Sequence, residues 1–146
     1  AIVALSGARF VGIVPAFGER PVRPMPEAAV REIARSGIAG NVLNSYRMGG
    51  FLMFRLYPEE RVVMDGRNDV YGLFRDRVYN PVLRTDPGWR AHFEELVETH
   101  SVDWVLLDVG TPLIERLRNE PGWVERRTTD VGTVLLVRAS AGSTLD

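Results

Sequence analysis

Three apolar runs in this chain each empty into a dense polar loop, and that arrangement constrains the fold more than any other feature. GNVLNSY (residues 40–46) leads into Met48-Gly49-Gly50. RVVMD (61–65) leads into Gly66-Arg67-Asn68-Asp69. DWVLLD (103–108) leads into Val109-Gly110-Thr111. These runs hold two to four consecutive apolar residues (Val42-Leu43, Val62 to Met64, Trp104 to Leu107), the pattern of short strands buried on both sides, as in a parallel sheet. The segments between them carry helix signals.

Those signals are local. Pro26 suits the first position of a helix, because its missing N–H has no intrahelical partner there. Ala29, Val30, Ile33 and Ala34 give a helical stripe after it, and Gly37 provides a stop. FLMFRLY (51–57) is apolar on nearly every side, which predicts a short, fully buried helix. DVYGLFRDRVYNPVLRT (69–85) reads as helical in part, with Pro81 limiting it. Asp86-Pro87 reads as a cap and first position for the stripe Trp89, Phe93, Leu96 and Val97. Thr111-Pro112 opens a helix that Pro121-Gly122 ends. WVERRTT (123–129) and TVLLVR (133–138) flank a turn at Asp130-Val131-Gly132.

The alternation predicts an α/β fold: a Rossmann-like, mostly parallel sheet of about five strands with flanking helices and a C-terminal antiparallel hairpin. The expected divisions are an apolar start and proline-rich connector over 1–25, an α/β domain over 26–139 and a flexible tail over 140–146. The start is interrupted by Arg9, Gly12 and Pro15, so it falls short of a membrane span. Because the chain begins at Ala1, it reads as a processed product or an excised piece.

Composition removes several chemistries. With no cysteine, thiolate catalysis, disulfides and zinc–thiolate sites are excluded. All 18 basic residues are arginine, so a lysine nucleophile, Schiff base or P-loop lysine is excluded too. The net charge of -1 carries no electrostatic footprint for nucleic acid. Asp65 and Asp69 resemble the start of a calcium loop, but Arg67 occupies a ligand position, so no metal is expected. His92 and His100 read as solvated. No cofactor is implied.

In a parallel sheet, ligands sit beyond the carboxyl ends of the strands. The candidate ligand-binding residues are therefore Asn44, Tyr46, Gly49, Gly50, Asp65, Arg67, Asp69, Tyr71 and Asp108. Gly49-Gly50 would leave helix N-terminal amides open to an anion, and Arg67 offers a planar fork for phosphate or carboxylate. Tyr46 and Tyr71 offer faces for a sugar ring. The same residues equally describe an internal brace: Asp65 and Asp69 pairing with Arg67, and Gly49-Gly50 admitting close helix–strand packing. A third reading makes Asp65 and Asp108 a catalytic carboxylate pair in a free-standing hydrolase or transferase.

The string GNVLNSYRMGGFLMFRLYPEERVVMDGRNDVYG resembles a pattern of large bacterial multi-span membrane proteins. There, Gly-Asn-x-x-Asn-x-Tyr-x-x-Gly-Gly-Tyr-Leu precedes Arg-Leu-x-Pro and a strand ending Asp-Gly-Arg-x-Asp-x-Tyr. Asn41, Asn44, Tyr46, Gly49, Gly50, Asp65, Gly66, Arg67, Asp69 and Tyr71 match it. Phe51 stands where tyrosine is usual, and Met48 where tryptophan is usual; each change removes a hydrogen-bond donor. The likeness spans roughly residues 26–138 and points to integral-membrane glycosyltransferases of the GT-C type, including the protein mannosyltransferase group.

The resemblance implies a non-catalytic, C-terminal extracytoplasmic domain on the periplasmic or extracellular face of the cell membrane. Its partner would be the membrane-embedded part of the same polypeptide, and its ligand the acceptor or a polyprenyl-phosphate sugar. Catalytic carboxylates of such enzymes lie in the membrane region, so none is carried over. A purely structural packing module is the alternative.

Overall fold

The computed structural model describes residues 23–139, apart from the side chains of residues 68–70. Residues 1–22, with the expected apolar start and most of the connector, lie outside the described residues, as does the tail at 140–146.

Helix α1 (Glu27–Ser36) starts directly after Pro26 and stops at Gly37, whose φ of 67° is the left-handed geometry a glycine C-cap supplies. Strand β1 (Asn41–Asn44) follows, then a 3-10 turn (Tyr46–Met48) that runs straight into α2 (Gly49–Leu56). The segment after Arg67 is helical from Asn68 to Arg84: α3 (Asn68–Phe74), a π-helical turn (Arg75–Tyr79) and α4 (Asn80–Arg84). Pro81 therefore does not limit the helix as expected. The Asn80 N–H reaches back five residues to the Arg75 carbonyl, and this widened turn makes room for the proline ring. Helix α5 (Trp89–Thr99), strand β2 (Val102–Asp108), helix α6 (Pro112–Arg118) and strands β3 (Trp123–Arg126) and β4 (Thr133–Arg138) complete the chain.

Among the described residues the sheet has four strands in the order β1-β2-β4-β3. β1 and β2 are parallel, whereas β2–β4 and β3–β4 are antiparallel. The C-terminal hairpin is as expected, but the mostly parallel sheet of about five strands is not. The hairpin docks on β2 through its returning strand β4, which alone runs against the other three.

RVVMD is not a regular strand. It touches the sheet through one parallel bridge, Val42 to Val62. Two backbone bonds hold it: Val42 N–H to the Arg61 carbonyl (2.8 Å) and Val63 N–H to the Val42 carbonyl (2.9 Å). Beyond them the ladder passes to side chains. Asn44 donates to the Met64 carbonyl (2.7 Å) and accepts from the Met64 N–H (3.2 Å). At the other end, Asn41 accepts from the Arg61 N–H (2.8 Å). Two asparagine amides thus take the place of strand backbone.

Helices cover both faces, as the apolar runs require. Alternate residues of β2 and β4 divide between two cores. Val105, Leu107, Val134 and Leu136 pack with α4, α5 and α6, while Trp104, Leu106, Leu135 and Val137 pack with α1 and α2. Trp104 is fully buried, with its indole N–H directed to the Ile38 carbonyl at 3.3 Å. α2 is not fully buried, contrary to expectation. Gly49, Leu52 and Leu56 face the core, but Met53 and Phe54 face solvent, Phe54 at 84% exposure.

Candidate functional site

The parallel pairing of β1 with β2 puts Asn44 and Asp108 at the same edge of the sheet, and the Val62 bridge brings Asp65 there as well. The nine candidate residues gather along this rim, but they do not form one site. Seven of them divide between an interior stitch and two clefts; Gly50 lines neither cleft, and the Asp69 side chain lies outside the described set.

Asn44 and Gly49 belong to the interior. Asn44 is fully buried, and its backbone carbonyl accepts the Tyr79 hydroxyl at 2.6 Å. Burial, together with the charge of Asp108, pushes the Tyr79 phenol well above its ordinary range, so it remains a donor. Gly49 is required by contact. A Cβ there would lie 2.0 Å from the Met64 carbonyl oxygen, so only glycine lets α2 approach the edge segment this closely. Its N–H donates to the Tyr46 carbonyl. The expected anion pocket of open amides is therefore absent at Gly49, because the preceding 3-10 turn already occupies that amide. Gly50 is exposed, with open space where a side chain would be.

The first cleft, of about 590 Å³, lies beyond the ends of β1 and β2 and includes Tyr46 and Asp108. Asp108 accepts the Arg47 Nε at 2.8 Å, and Arg47 Nη2 sits 2.7 Å away without hydrogen-bond alignment, a purely Coulombic contact. Arg23 approaches the same carboxylate oxygen to 3.6 Å. Ser45 fixes the backbone beneath: its hydroxyl accepts the Asp108 N–H at 2.9 Å, and its own N–H bonds to the Leu106 carbonyl. Arg47, Arg23, Arg84 and Tyr79 are absent from the candidate set. Arg47 sits in the β1 loop beside Tyr46, where nothing local marks its pairing with Asp108, and the other three reach the rim from other segments.

The second cleft, of about 400 Å³, is lined by Asp65, Arg67 and Tyr71 with Met53, Tyr57 and Glu60. The Asp65 side chain is only 3% exposed and is gripped by Arg67, from Nε (2.7 Å) and from the backbone N–H (3.1 Å). These bonds, led by the Arg67 side chain, hold its carboxyl below the usual range, and the guanidinium is raised in return. Arg67 itself is 65% exposed. Burial, with help from Glu59, pushes Glu60 upward. The expected Asp65–Arg67 pair is present. Asp69 lies in α3, with its side chain outside the described set.

Tyr46 ties the two halves of the rim together: it lines the first cleft and donates its hydroxyl to the Gly66 carbonyl at 2.8 Å. Asp65 and Asp108 line different clefts, and each is engaged by arginine. The carboxylate pair of the free-standing enzyme reading is not assembled. Among the described residues no group of three or more His, Asp or Glu side chains is placed to hold a metal, and no helix is long and apolar enough to cross a membrane. No family model, curated protein or solved structure matches this chain.

Proposed function

We propose that this chain is a non-catalytic, extracytoplasmic domain of a GT-C-type, protein mannosyltransferase-like membrane glycosyltransferase, and that it engages the acceptor or a polyprenyl-phosphate sugar at the Asp65–Arg67 groove. The observation that carries the non-catalytic part is the commitment of both rim carboxylates to arginines in separate clefts. A general acid needs a raised pKa and a general base needs a free carboxylate near the substrate. Asp65 has a lowered pKa and an arginine across its oxygens.

The groove has the chemistry of a carbohydrate-phosphate contact. Arg67 presents an exposed guanidinium already oriented by Asp65, and Tyr57 (64% exposed) and Tyr71 present aromatic surface. Met53, at 41% exposure, adds apolar surface for a prenyl chain. The glycosyltransferase context rests on the sequence pattern over residues 26–138. The test is titration of the chain with a polyprenyl-phosphate sugar. Binding that drops about tenfold in Arg67→Ala is the expected result, the size of one charge-assisted contact. Absence of binding, together with normal glycosyl transfer by a parent protein carrying Arg67→Ala, would retire the ligand reading.

A packing module is the second reading, and the exposed Met53, Phe54 and Tyr57 on and just after α2 favour it. On that reading this apolar strip seats the domain against the membrane-embedded part of the polypeptide. Phe54→Ser would then weaken association of the two parts while leaving the melting temperature of the isolated chain unchanged.

A further inference from the structure

The first cleft carries a charge imbalance that the brace does not explain. Its walls include three arginines, Arg23, Arg47 and Arg84, but one carboxylate, Asp108. Counting Asp86, which pairs with Arg84 from outside the cleft, positive charge is still in excess. This excess sits in a chain whose net charge is -1, so it is local rather than a general basicity. We propose that this cleft is a binding site for a phosphate monoester on a small polar molecule.

Three features of the site fit that ligand. Arg47 is immobilised by Asp108 through Nε and Nη2, which presets the guanidinium plane, while Nη1 makes only 3.5 Å contacts with the Arg23 and Pro24 carbonyls. At that length those contacts are weak, so the Nη1 hydrogens are available to a phosphate oxygen with the guanidinium held where it is. Arg23 and Arg84 are 55% and 60% exposed, so they can close on an anion without loss of packing. The volume of about 590 Å³ suits a small molecule, and the position beyond the carboxyl ends of two parallel strands is where α/β sheets hold ligands. Asn80 and the Tyr46 ring supply polar and aromatic contacts for the remainder of the molecule. A phosphate offers three terminal oxygens to the three guanidinium groups, where a carboxylate offers two. None of these residues lines the Asp65–Arg67 groove, so the inference stands or falls apart from the reading given above.

The test is calorimetric titration of the 146-residue chain at low salt with glucose 1-phosphate, and sedimentation with phosphatidylcholine vesicles containing phosphatidic acid. The variants are Arg23→Gln/Arg84→Gln and, as a control away from both clefts, the exposed Arg31→Gln. Saturable binding of glucose 1-phosphate is expected to weaken about tenfold per arginine removed, the scale of a charge-assisted hydrogen bond. It should survive in Arg31→Gln. Binding to the vesicles alone, with the same dependence on Arg23 and Arg84, would keep the phosphate site and assign its source to a lipid headgroup. No binding of either probe, undiminished binding in the double variant, or an equal loss in Arg31→Gln would overturn the proposal. Both substituted side chains are more than half exposed, so folding should be intact; if the double variant melts early, Arg84→Gln alone carries the same comparison.

Discussion

The two carboxylates of the rim are built in opposite ways. Asp108 is held by Arg47, 61 residues away in the chain, and its backbone rests on Ser45, 63 residues away. Asp65 is held by Arg67, two residues on. The first arrangement exists only when β1 and β2 are already paired. The second closes on itself within one loop and asks little of the rest of the fold. An arginine beside an aspartate is therefore ambiguous in a sequence: it marks a loop that satisfies itself, while the contacts that join the sheet come from residues with no local partner. The same contrast separates Asn44, which bonds across 20 residues to Met64, from the Asp65 turn beside it.

The sharpest way to break this comparison is Asn44→Ala. It leaves both the N–H and the carbonyl of Met64 without their partner in a buried place. The expected loss is about 3 kcal/mol, from two stranded backbone groups, read by urea denaturation. A loss under about 1 kcal/mol would mean that the edge segment holds to β1 without the amide.

A second long-range contact gives a smaller effect. Asp130, in the β3–β4 loop, accepts the N–H groups of Ala28 (3.0 Å) and Ala29 (2.7 Å) and so caps α1 from across the molecule. Asp130→Ala should cost about 1–2 kcal/mol and raise hydrogen exchange in the first turn of α1. Unchanged exchange there would show that Pro26 suffices to start the helix.

The smallest effect belongs to the self-closed loop. Asp65→Asn should cost about 1 kcal/mol at neutral pH, because the exposed Arg67 is screened by solvent. The folded pKa of Asp65 lies below its unfolded value, so the stabilisation is complete above about pH 5 and is lost as pH falls through the folded pKa. Denaturation of the native chain and Asp65→Asn between pH 2 and 7 should show a gap that is constant above about pH 5 and closes in acid. A gap that widens in acid would reverse the assigned direction.

Most helices and strands were legible before any coordinates because their signals are short-range. Pro26 and Gly37 bracket α1, and the apolar runs of β2 and β4 mark strands buried on both faces. The failures share a cause. Pro81 does not end its helix because a π-helical turn accommodates it, and that turn has no composition of its own. RVVMD has a strand's composition but lies at the sheet's edge, where asparagine side chains replace half its ladder. α2 was read as fully buried because an apolar residue looks alike whether it meets a core or solvent, yet Phe54 is the most exposed large apolar side chain described. Of the candidate site, Asp65 with Arg67 was readable as a pair. The arginines around Asp108 were not.

What the sequence determined by itself was most of the elements and, in α1 and α5, the face that avoids water, because periodicity and capping act over a few residues. The tertiary structure alone decided which polar groups meet. The direction of the hairpin on β2, the close approach of Gly49 to Met64 and the meeting of Arg47 with Asp108 depend on chain segments packed from far apart. Such pairings are selected by the joint geometry of the whole core, and a charge carries no mark of its distant partner.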